Sequence, residues 1–68
     1  MLTPDRNPGY SMRELTACAE RETKLRRRVY ANRVLTGRMS QHQADIEIDK
    51  MEAIALMLAE MAERERLI

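Results

Sequence analysis

From residue 10 to its end the chain has no proline and a single glycine, Gly37, near the middle of two long helix-compatible stretches. One glycine so placed divides the sequence into two helices rather than one, because a fresh start signal follows it. Ser40 with Gln43 three residues on is a capping box, and Asp45 and Glu47 place acid in the first turns of what comes next. The first stretch opens with the same device. Ser11 and Glu14 form a capping box, and Tyr10 and Leu15 are spaced to staple the chain's entry. Gly37 then fits the left-handed residue that closes a helix, with Arg33 and Arg38 near the negative end of the dipole.

The expected architecture is an all-α antiparallel two-helix hairpin spanning 11–68, with helices over 11–36 and 41–66 and a turn over 37–40. Each helix is about 26 residues or ~39 Å long, and the short connection forces the two to fold back on each other. Residues 1–10 hold both prolines, include Asn7-Pro8-Gly9, and read as an extended or disordered arm. The near absence of aromatic residues, with no Trp or Phe, fits long helices and not a compact mixed core.

Spacing places the seam between the helices. On the second helix Ala44, Ile48, Met51, Ala55, Leu58 and Ala62 follow a 4-3-4-3-4 rhythm, a coiled-coil stripe whose alanines admit a close partner. The matching row on the first helix is Leu15, Cys18, Glu22, Leu25, Val29 and Asn32, a poorer one because it includes Glu22 and Asn32. A fold-back centred near Arg38 sets Leu25 against Met51, Val29 against Ile48, Cys18 against Leu58 and Leu15 against Met61. In this reading Cys18 is a small core residue, and Glu22 is a register device bonded to a polar group of the other helix. Exposed His42 follows the Ser40 cap.

Charge is divided between the halves. Residues 11–38 carry eight basic and three acidic side chains, whereas 39–68 carry three basic and seven acidic. The fold-back brings Arg26-Arg27-Arg28 alongside Glu47, Asp49 and Glu52, so the basic run reads as a flank that sets register. The alternative is a nucleic-acid-binding face on the first helix, with Lys24, Arg26, Arg27, Arg28 and Arg33 as phosphate contacts and Tyr30 as a stacking ring.

The second helix is apolar over more than one seam. Ile54, Met57 and Met61 lie beside it and widen the apolar arc to roughly 200° in this region, about twice what one neighbouring helix covers. A second copy resolves this, giving a homodimeric four-helix bundle, and the Met-rich stripe also suits a foreign helix. The expected partner or dimer interface is Tyr10, Met12, Ile54, Met57, Leu58 and Met61.

The chain has one cysteine and one histidine, no glycine-rich phosphate loop and no Ser-His-Asp set, so no catalytic residues, cofactor or metal site is expected and the protein is not read as an enzyme. No apolar run is long enough to span a bilayer, and prolines interrupt the N-terminal segment where a signal peptide needs an apolar core. A soluble cytoplasmic protein without a membrane partner is expected.

Residues 26–54, RRRVYANRVLTGRMSQHQADIEIDKMEAI, resemble a pattern in short helical proteins carried by bacteriophages and prophages. The resemblance rests on the arginine-rich helix end, Tyr30, Val34, Gly37-Arg38-Met39-Ser40, Ala44, Glu47-Ile48, Met51 and Ala53-Ile54. Proteins of that pattern often have proline after the tyrosine. This chain has Ala31, which implies a straighter first helix. The resemblance implies a phage-encoded accessory protein, located in the bacterial host cell, and brings no established activity; by analogy with accessory proteins of this size, the expected role is to bind or inhibit an unidentified host or phage protein. A structural part of a phage assembly is the further alternative.

Overall fold

A computed structural model describes residues 9–66, so the expectation of an N-terminal arm falls, over residues 1–8, outside the described residues. Two α-helices pack against each other, α1 over Met12–Leu35 and α2 over Gln41–Arg66, and the described residues contain no strand. The helix ends are where the start and stop signals place them. Ser11 Oγ accepts from the Glu14 amide at 3.1 Å, and Ser40 Oγ accepts from the Gln43 amide at 3.0 Å. Each bond satisfies an amide that a helix start leaves without a partner.

At the end of α1, Gly37 adopts φ +76 and reverses the chain. The Arg38 amide donates to the Arg33 carbonyl at 2.8 Å and the Gly37 amide to the Val34 carbonyl at 3.1 Å. These are the paired bonds of a Schellman closure, which require a left-handed residue between them. Thr36 Oγ1 also donates to the Asn32 carbonyl at 3.0 Å. The turn is thus held by backbone chemistry that begins and ends within a few residues.

The α2 half of the seam is as expected. Ala44 is only 1% exposed, and Ile48, Met51, Ala55, Leu58 and Ala62 are all half-buried. The α1 half is corrected. The buried residues there are Thr16, Ala19 and Thr23, joined by half-buried Met12, Tyr30 and Val34, while Leu15, Cys18, Leu25 and Val29 are exposed. Leu15, Cys18, Glu22, Leu25 and Val29 each stand one residue before a seam position, a rotation of ~100° about the helix. The physical reason is the small size of the α2 seam: its alanines let a helix come close only if the facing side chains are small too.

Threonine can occupy such a position because its hydroxyl is satisfied locally. Thr16 Oγ1 donates to the Met12 carbonyl at 2.7 Å and Thr23 Oγ1 to the Ala19 carbonyl at 2.8 Å. With the hydroxyl turned back onto its own helix, no polar atom is lost to burial. Among the described residues no buried side-chain nitrogen or oxygen lacks a partner.

The expected charge flank is met only in part: Arg26 pairs with Glu22 and Glu47 with Lys50 within their own helices, and the pair across the seam lies three residues further along α2 than Asp49, which a fold-back centred on Arg38 sets opposite Arg27. Arg27 of α1 forms an ion pair with Glu52 of α2, beside a groove lined by Glu20, Thr23 and Lys24 on one helix and Ala55, Leu56 and Ala59 on the other. Closer to the turn, Ala31, Val34 and Leu35 share a hollow with Ala44 and Ile48.

Candidate interaction face

The hairpin has two broad faces, one on each side of the seam. The groove beside Arg27 and Glu52 marks the first. On the second, α1 contributes the row Leu15, Cys18, Glu22, Leu25 and Val29, turned about 100° from the seam centre, and α2 contributes Ile54, Met57 and Met61, turned by a similar angle. In an antiparallel pair, equal rotations in the same sense carry both rows to the same side. Both rows therefore lie on one side of the hairpin, an apolar surface broken on α1 by Glu22.

Its exposure is high for apolar side chains. Leu25 is 43% exposed, Ile54 48%, Met57 64% and Met61 45%. Half-buried Leu58 and Met51 join the α2 row to the seam. Of the residues expected at an interface, Ile54, Met57, Leu58 and Met61 thus occur together on or beside this surface. Met12 is half-buried in the seam, and exposed Tyr10 lies with Leu15 and Cys18 around a shallow hollow at the start of α1. The α1 row was assigned from its spacing to the inner seam. Its 4-3 rhythm of apolar residues is nevertheless the signal that marks it, and the row one residue on, with Thr16, Ala19 and Thr23, takes the seam in its place.

Two charged residues interrupt the apolar surface. Arg26 and Glu22 form an ion pair one helical turn apart at 3.5 Å, each with under half of its side chain exposed. Glu22 is therefore not bonded to α2, a correction to its expected role, and Cys18 is an exposed thiol instead of a core residue. At the end of the α2 row nearer the turn, Lys50 pairs with Glu47 at 3.3 Å.

The basic residues read as phosphate contacts do not form one face. Arg26, Arg27 and Arg28 are consecutive and project in three directions around α1. Arg26 pairs with Glu22, Arg27 pairs with Glu52, and the Arg33 guanidinium lies 5.7 Å from the centre of the Tyr30 ring. Lys24 and Arg28 are exposed, as is His42. Among the described residues no set of three His, Cys, Asp or Glu side chains is grouped to hold a metal ion, and no helix is long and apolar enough to cross a membrane. No protein-family model, curated protein or solved structure matches the chain.

Proposed function

We propose that this chain is a non-enzymatic helical-hairpin protein that acts by protein–protein contact, self-associating through the apolar face that α1 and α2 share. One observation carries the reading. Among the described residues no large side chain is fully buried, the four most buried being two alanines and two threonines, while nine leucine, isoleucine, valine and methionine side chains are exposed, six of them, Leu15, Leu25, Val29, Ile54, Met57 and Met61, in the two rows of that face.

The seam orders two helices but removes little apolar area from water, and hydrophobic stabilisation scales with that area at about 25 cal/mol per Å². In proteins most of a helix's stability comes from packing of its apolar face. Covering the exposed face supplies the missing burial, and a four-helix bundle of two hairpins does so with no new element. Its methionines also suit a surface that repacks around a second protein. The resemblance to short phage and prophage proteins supports an accessory role.

Sedimentation velocity on the full chain at micromolar concentration tests self-association. The expected species has twice the chain mass of 8.0 kDa. A cooperatively folded monomer at every concentration would overturn the proposal, because the face would then be stable in water.

A further inference from the structure

The basic residues of the first half fall into two groups once their contacts are known. Residues 11–38 hold eight, of which Arg26 and Arg27 are engaged with Glu22 and Glu52, Arg33 lies against the Tyr30 ring, and Arg38 sits beyond α1 in the turn. The other four are Arg13, Arg21, Lys24 and Arg28. All are exposed, and among the described residues none of them is in an ion pair. At ~100° per residue they fall within one arc of about 80°, centred roughly 130° from the seam of Thr16, Ala19 and Thr23 and roughly 110° from the apolar row. They form a single file on the back of α1, about 22 Å long from Arg13 to Arg28. No acid of α1 lies within the arc, which otherwise holds only Ala17, Ala31 and Leu35. Glu14 and Glu20 border it, each about 20° outside one edge.

We propose that this file is a docking surface for the phosphate backbone of double-stranded nucleic acid, bound without regard to sequence. Three of its four members are arginines, whose planar guanidinium fork matches phosphate oxygens. Arg21 with Lys24 and Lys24 with Arg28 are like charges one helical turn apart, which oppose the helix that carries them. A phosphate that neutralises such a side chain relieves that repulsion and releases the counterion condensed on the nucleic acid, so affinity arises with no base contact.

The shape of the file selects among polyanions. A flat anionic membrane would meet Glu14 and Glu20 together with the basic residues, whereas a phosphodiester strand is narrow enough to lie between them. A duplex is favoured over a single strand on two grounds. It carries one charge per about 1.7 Å of its axis, twice the density of one strand, and it is as straight as the helix over this length. The file also holds no aromatic ring on which unpaired bases could stack, since Tyr30 is half-buried in the seam. Because the file is turned away from the apolar rows, covering those rows leaves it open.

Fluorescence anisotropy of a labelled DNA duplex of about 20 base pairs, titrated with the full chain up to about 100 μM at several salt concentrations, tests the proposal. Four phosphate contacts predict a slope of log affinity on log salt of about −3.6, or a roughly 150-fold loss between about 50 and about 200 mM. Arg21→Gln and Arg28→Gln should each make the slope shallower by about 0.9. Arg33→Gln removes the same charge from the opposite side of α1 and should leave the slope unchanged. All three positions are exposed and glutamine is a good helix former, so circular dichroism should show the same helix content in each variant. No binding to the duplex at about 50 mM salt overturns the proposal. So does an equal effect of Arg33→Gln and Arg21→Gln, which would assign the binding to net charge, and so does capture by phosphatidylserine vesicles with none by the duplex.

Discussion

The two broad faces of the hairpin differ in what they contribute. The face that carries Arg27 and Glu52 is bridged by charge: an ion pair joins the helices, and Glu20 and Lys24 line the same groove. Among the described residues the opposite face is crossed by no such ion pair, and its two charged residues near the centre, Glu22 and Arg26, belong to one helix. The bridged face adds one ion pair between the helices, worth little where both side chains are about half exposed. The apolar face gathers six exposed large apolar side chains, Leu15, Leu25, Val29, Ile54, Met57 and Met61, whereas Leu56 lines the bridged groove.

Breaking the apolar side is expected to have the largest effect. Ile54→Glu places a carboxylate at the middle of the proposed contact, and desolvating it should weaken association at least about 100-fold, roughly 2.7 kcal/mol, as read by sedimentation equilibrium. An unchanged mass distribution would remove Ile54 from the interface. Leu25→Ala tests the α1 row and should cost about 2 kcal/mol in the assembled state. That loss must appear in denaturation midpoints that shift with protein concentration, because Leu25 is already 43% exposed in one hairpin.

Smaller effects belong to the turn and the bridged face. Gly37→Ala meets no atom within 4 Å of the added carbon, so its cost is conformational alone, about 1 kcal/mol for a left-handed residue, and should lower the melting temperature without altering mass. Arg27→Ala should change stability by no more than about 0.5 kcal/mol, since both side chains of its pair with Glu52 remain about half exposed. A larger loss, insensitive to salt, would show that the bridged face contributes to the driving force as well as to register.

The helix ends and the turn were legible because their signals are local. Ser11, Ser40 and Gly37 act on amides and carbonyls within five residues, so nothing distant can override them. The α2 seam was legible for a related reason: its apolar and small residues coincide in one 4-3 rhythm. The α1 seam was not, because two rows of that helix have the same spacing and differ by one residue. Choosing the row with Leu15, Leu25 and Val29 follows hydropathy. The helix instead turns Thr16, Ala19 and Thr23 inward, a choice set by the closeness of the alanines opposite. The candidate face followed the same pattern, with Ile54, Met57 and Met61 recognised as surplus on α2 and their continuation on α1 hidden in the supposed seam.

The threonine and alanine seam has a consequence for how such a protein can change. Its members share no position with the outward row, and the threonine hydroxyls need nothing beyond their own helix. Substitutions at Leu15, Leu25, Val29, Ile54 or Met61 therefore alter the outward surface without touching the side chains that set the two helices against each other.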